Sequence, residues 1–235
     1  MISAIQRRGF LGRIFGAAVA TSFPLAIKRA DAAQETSPDN WLRDVKGTHR
    51  CLFDFPQHKN GLPLLHMLNF LNTYTAVYKA SPGQVAAVGT FYGLSGQASI
   101  PLAFNDAMWD KYRLGEYTAL SDATGKPYTR NVFARPTTDD VHLLIQAIQS
   151  PMIPGLAPAM PGLGIENLQK MGAKFLLCAN ALGGWCLELE ARGKGKAADI
   201  EKELRANLLA SVTVVPAMVI AIEKAQESGI RYNRQ

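Results

Sequence analysis

The sequence predicts an α/β protein built on a doubly wound, mainly parallel sheet with helices on both faces. Two observations carry that expectation. From His49 to the last residues, short apolar or β-branched runs alternate with helical patterns, the order that builds parallel βαβ units. The composition, 48% hydrophobic and 19% charged over 235 residues with 20 Gly and 13 Pro, supplies a buried core. It excludes a disordered polar chain, a collagen-like repeat and a disulfide-dense miniprotein. Past residue 32 no run of about eighteen uncharged apolar residues occurs, which excludes a polytopic membrane protein.

Residues 1–32 read as an export signal. Arg7 and Arg8 precede Gly9, Phe10 and Leu11, a moderately apolar stretch runs from Gly12 to Ile27, and Ala30-Asp31-Ala32 offers a small-x-small cleavage pattern. The Arg-Arg-x-Phe-Leu string is that of a twin-arginine signal, which implies the twin-arginine translocase as a partner during export and a periplasmic location. The segment holds five basic side chains (Arg7, Arg8, Arg13, Lys28, Arg29) and one acid (Asp31), so without it the formal charge falls from +6 to +2. Basicity then gives no ground for a nucleic-acid partner.

The remaining elements follow in order. Residues 33–47 begin polar and read as a linker. His49 to Phe55 is a buried strand; Leu64, Leu68 and Leu71, with Met67, Tyr74 and Tyr78, mark a helix running to Lys79; and Val85 to Phe91 is a second strand. Ile100 to Tyr112 reads as a helix, and Tyr117 to Arg135 as a hairpin or irregular excursion. Thr138-Asp139-Asp140 caps a helix to Gln149. Residues 151–164, with Pro151, Pro154, Pro158 and Pro161, read as an ordered apolar flap and not a helix interior. Ile165 to Met171 is a helix and Lys174 to Cys178 a strand. After a turn at Ala179–Leu182 a helix covers Gly184–Ala191, and a charged helix covers Asp199–Leu208. Ser211 to Val215 is a strand, Met218 to Gln226 a helix, and Ile230–Tyr232 a closing strand.

Three cysteines, Cys51, Cys178 and Cys186, leave at least one thiol unpaired within a single chain. Neither Cys-x-x-Cys nor zinc-ligand spacing occurs, and His49, His58, His66 and His142 are scattered, so no metal or cofactor is expected. Cys178 is the leading site candidate. It closes an apolar strand just before a helix, where a thiolate would face backbone N–H groups and the positive end of the helix dipole. That position lies at the carboxyl ends of parallel strands, where open α/β sheets bind ligands. The competing reading is a buried, inert cysteine. Asn180 either stabilises the turn or orients a ligand, and Cys186 is core filling or a resolving thiol. His58 is either a supporting base on the same sheet edge or a lone surface histidine.

Gly172, Lys174, Phe175, Cys178, Asn180, Ala181 and Leu182 stand in the order Gly-x-Lys-Phe, hydrophobic residues, Cys-x-Asn, small residue, Leu. Val212, Val214, Val215 and Pro216 follow as Val-x-Val-Val-Pro, then Gly229 and the aromatic Tyr232. On these residues the chain resembles the DsrE/DsrF-like family, which includes periplasmic members and sulfur-relay subunits. The resemblance implies a flavodoxin-like single domain over residues 48–235, with residues 92–161 as an insertion, and assembly into homo- or hetero-oligomers. It also implies a persulfide carried at Cys178, hence an exported sulfur carrier or sulfur-transfer accessory protein with sulfur donor and acceptor proteins as partners. The alternative is a non-catalytic binding or assembly module that uses the insertion and the Pro-rich flap.

Overall fold

In the computed structural model, residues 37–81, 83–150 and 153–235 are described; the residues read as an export signal, Arg7, Arg8, Phe10 and Leu11 among them, lie outside. The apolar runs form strands β1 (His49–Asp54), β2 (Val85–Phe91), β3 (Lys174–Cys178), β4 (Val212–Val215) and β5 (Arg231–Arg234). They make one sheet in the order β4-β3-β2-β1-β5 with every pairing parallel. Helix α1 (Leu62–Ala76) joins β1 to β2. The long β2-to-β3 connection carries α2 (Asp106–Tyr112), α3 (Leu114–Thr118), α4 (Val141–Ile148), α5 (Leu156–Ala159) and α6 (Ile165–Lys170). Helices α7 (Ala179–Ala191) and α8 (Ala197–Ala206) join β3 to β4, and α9 (Met218–Glu227) leads to β5. The architecture is the expected flavodoxin-like α/β fold.

Register settles which side chains share a face. Phe53, Gly89, Phe175 and Val212 are aligned neighbours across four strands, and aligned residues of parallel strands point the same way. Helix α1 covers this face, with Phe70 edge-on to Phe53 at 5.4 Å. Asp54, Thr90 and Leu176 point to the opposite face, as does Cys178 two residues further along β3. There α9 packs, its Met218 N–H reaching the Cys178 sulfur. The chain steps from β1 through β4 in one direction and then returns across the sheet to β5. Right-handed crossovers therefore put α9 on the face opposite α1.

Gly89 is required by this packing. A Cβ there would lie 2.7 Å from the Phe175 ring and 3.1 Å from that of Phe55, while Phe175 stacks on Phe91 at 5.0 Å with planes 5° apart.

Several sequence-based expectations are corrected. The segment read as a polar linker belongs to the domain from Asn40 onward. Asn40–Asp44 is a 3-10 turn whose Trp41 is buried, together with Val45. The helix expected over Ile100–Tyr112 is two pieces. A 3-10 turn at Ile100–Ala103 ends at the extended Phe104, and α2 restarts under an Asn105 side-chain cap. The residues expected to cap α4, Thr138–Asp140, form a 3-10 turn leading into it, and that turn is itself capped by a box of Thr137 and Asp140. The Pro-rich flap is ordered at its described residues, yet Leu156–Ala159 forms a single helical turn; a proline so near a helix start displaces no intrahelical bond. Helix α7 starts directly at Ala179, without the expected turn.

The long β2-to-β3 connection turns most of its large apolar side chains inward, with Leu94 and Ile153 exposed. Ile100, Leu102, Trp109, Tyr112 and Phe133 are all buried. Its polar groups hold it in place. The Asn131 amide donates to the Leu102 and Phe104 carbonyls, and its oxygen accepts from the Phe133 and Ala134 N–H groups. Asp140 accepts from the Tyr128 hydroxyl at 2.6 Å, the Arg130 guanidinium at 2.7 Å and the Thr137 N–H at 2.7 Å. Among the described residues no helix is long and apolar enough to cross a membrane.

Two stability outcomes follow. Gly89→Val forces the Phe175 ring off Phe91 and should lower the unfolding free energy by about 2 kcal/mol, read from urea denaturation; an unchanged midpoint would mean the rings yield freely. Burial pushes the Asp140 carboxyl up, but Arg130, the Thr137 N–H and Tyr128 together outweigh it and hold it below the ordinary aspartate value. A depressed folded value stabilises fully above the unfolded pKa and is lost as pH falls through the folded one. With Arg130 partly exposed, Asp140→Asn should cost about 2 kcal/mol at neutral pH. That gap from the unsubstituted protein should shrink as pH drops below about 4; a gap constant with pH would contradict the assignment.

Candidate functional site at the carboxyl edge of the sheet

Cys178 ends β3 and is also the residue before α7. Its extended backbone (φ −76°, ψ 117°) turns the sulfur back over the first turn of the helix, where Sγ accepts from the Ala181 N–H at 3.5 Å. The sulfur also accepts from the Met218 N–H at 3.3 Å. Met218 opens α9, a helix with no side-chain cap of its own at Ala217. Neither α7 nor α9 has an acidic residue in its first turn. One sulfur thus sits at the positive ends of two helices that run to opposite faces of the sheet, with no carboxylate in either first turn to neutralise them. The backbone closes the junction as well, the Asn180 N–H donating to the Pro216 carbonyl at 3.3 Å. Two N–H donors aimed at one sulfur suit a sulfur that bears negative charge. Access is narrow: Cys178 is 5% exposed.

The other sequence candidates separate around it. The Asn180 side chain is exposed on the first turn of α7. Cys186 is buried two turns further on, and Cys51 is buried on β1; neither is in a disulfide. Burial pushes the Cys51 thiol up to about 11; burial, reinforced by Glu201, pushes Cys186 up to about 12. Both are held protonated, the state of packing residues and not of a resolving thiol.

His58 is corrected twice. It is buried, not a surface histidine, and its ring serves another part of the fold. Nδ1 accepts the Asn60 N–H at 3.0 Å, so Nε2 carries the proton and donates to the Thr118 carbonyl at 2.9 Å. Burial holds its pKa below the ordinary value, against the opposing pull of the Thr118 carbonyl. Both nitrogens are committed, and neither meets Cys178.

A second constellation on the same edge went unread in the sequence. Asp54, at the end of β1, is buried and accepts from the Tyr92 hydroxyl at 2.8 Å, the Tyr232 hydroxyl at 2.7 Å and the Thr90 hydroxyl at 3.3 Å. Burial and the hydrogen bond to Asp54 push both tyrosine hydroxyls above their ordinary pKa. The carboxylate gathers the ends of β1, β2 and β5. It shares a sheet face with Cys178 at two strand spacings, about 10 Å across the sheet, and the two do not touch. The sequence hint was an aspartate inside an apolar strand; its partners lie 38 and 178 residues away.

Comparison of the chain with family models, with curated proteins and with solved structures gave no match. Among the described residues no group of three His, Cys, Asp or Glu side chains is placed to hold a metal ion.

As the acceptor for two helix starts, the Cys178 sulfur should be worth what a good cap is worth. Cys178→Ala should lower stability by about 1 kcal/mol, measured by urea denaturation, and Cys178→Ser, which keeps an acceptor, should lower it less. Equal loss in both variants would mean that the sulfur is packing volume alone.

Proposed function

We propose that this chain is an exported, DsrE-like sulfur-transfer accessory protein in which Cys178 carries sulfane sulfur as a persulfide. The observation that supports the reading best is the convergence of the Ala181 and Met218 N–H groups on one sulfur at the carboxyl edge of a parallel sheet. There an anionic sulfur gains from both helix dipoles.

The transfer balances without an outside oxidant or reductant. The deprotonated Cys178 sulfur attacks the sulfane sulfur of a polysulfide or thiosulfate, and a new S–S bond forms. The donor S–S bond breaks, and the leaving group departs with the bonding pair as a shortened polysulfide or as sulfite. The thiol proton goes to solvent. The small opening at Cys178 favours inorganic donors over bulky ones. Val219 and Ile220, 69% and 50% exposed just after Met218, offer an apolar flank for an acceptor protein. The rival reading, a binding module built on residues 92–161 and the Pro-rich flap, has less support because most bulky apolar side chains of that stretch are in the core, Leu94 and Ile153 excepted.

Incubating the folded protein with inorganic polysulfide, followed by alkylation and peptide mass spectrometry, should add about 32 Da to Cys178. Cys51 and Cys186 should stay unmodified, and Cys178→Ser should show no adduct. If Cys178 gains sulfur only after denaturation, it is an inert helix cap and the reading fails.

A further inference from the structure

On the sheet face opposite Cys178 a cleft of about 590 Å³ opens between α1 and β5. It exists because α1 crosses from β1 to β2, away from β5, so the face of the edge strand beside β1 has no helix over it. Its floor is aromatic. Phe70 meets Tyr74 edge-on at 5.0 Å and both are partly exposed, while Phe53 beneath them is buried and one face of Tyr74 is stacked on His49 at 4.3 Å, so a flat guest meets Phe70 and what Tyr74 leaves exposed. Its rim carries Lys59 and His66, and no acidic side chain lines it among the described residues; Arg234 borders it through backbone only, since its register with Asp54 turns its side chain to the other face. Lys59 is not ion-paired with an acidic side chain among the described residues. The N-terminus of the fifteen-residue α1, with no acid in its first turn, lies at the same end and adds positive potential.

The turn that presents Lys59 is strained. Lys59, Asn60 and Gly61 are all left-handed, at φ 41°, 51° and 88°, a conformation that costs a non-glycine residue about 1 kcal/mol or more. It is over-determined from inside. His58 holds the Asn60 N–H on Nδ1 and the Gly61 N–H on its carbonyl. Gly61 lies so close to Phe133 that a Cβ would stand 2.4 Å from the ring. The buried histidine that does not serve Cys178 thus fixes the backbone that carries a lysine to the cleft.

We propose that this cleft binds a small planar aromatic anion, its ring system against Phe70 and Tyr74 and its negative group toward Lys59 and the start of α1. The volume lies within the range of small-molecule sites, and the lining combines an apolar floor with a lysine and a helix N-terminus at one end. The inference is independent of persulfide chemistry, because the cleft and Cys178 lie on opposite faces of the sheet.

The test uses the full chain and two dyes of nearly one shape, 1-anilinonaphthalene-8-sulfonate and the uncharged N-phenyl-1-naphthylamine. The sulfonate should saturate at one site per chain and bind about tenfold more tightly than the neutral dye. Lys59→Gln, at an exposed position, should erase that difference and leave the neutral dye unchanged, whereas Arg234→Gln, on the other face, should change neither dye. Thr73→Trp, which fills the cleft from the helix side, should weaken both dyes. Sulfonate binding that does not saturate, equal affinities in the unsubstituted protein, or indifference to Lys59→Gln or to Thr73→Trp would overturn the proposal. Far-UV circular dichroism of each variant confirms that it is folded before it is scored.

Discussion

A strand that leads by a right-handed crossover to a parallel neighbour can put its helix on only one face of the sheet, and the direction of travel chooses which. Here the chain steps from β1 to β4 in one direction, then spans the whole sheet to reach β5. The helix of that last crossover, α9, has to lie on the face opposite α1. At the junction of β3 and β4, one connection leaves as α7 and the next as α9, and their N-termini meet over the last residue of β3. Cys178 occupies that residue. The same return places β5 at an edge that α1 does not cover, and so opens the cleft on the other face.

The three cysteines show how far environment, and not residue type, sets chemistry. All are buried. Cys51 and Cys186 pack among apolar neighbours, and desolvation holds their thiols protonated. The Cys178 sulfur is equally enclosed but receives two backbone N–H groups. Burial removes water from all three sulfurs, and only one of them receives an electrostatic replacement for it.

Both faces of the sheet rely on polar groups buried deeply enough that their partners must be protein. Asp54 ties three strand ends through hydroxyls, and His58 spends both ring nitrogens on backbone atoms to hold a left-handed turn. Asn131 and Asp140 do the same inside the long β2-to-β3 connection. A carboxylate or imidazole left unpaired at such a position would cost more than its hydrogen bonds return. These side chains therefore specify where loops sit, which apolar packing alone leaves loosely determined.

Much of the architecture was legible in the residues. The runs at Val85–Phe91 and Lys174–Cys178 are strands at those bounds, because β-branched and apolar residues between turn formers define their own limits. The position of Cys178 between strand and helix was legible for the same local reason. The break of the helix at Phe104 was not, nor was the burial of Trp41 in a stretch that begins polar, since both depend on what packs against them. Least legible were the contacts that make a site. The Met218 N–H reaches Cys178 from 40 residues away, Tyr232 reaches Asp54 from 178, and the cleft needs β5 beside β1. Local sequence determined the elements, because propensity and periodicity act over a few residues. The order of strands in the sheet decided the sites, because only closure of the whole chain brings such distant groups together.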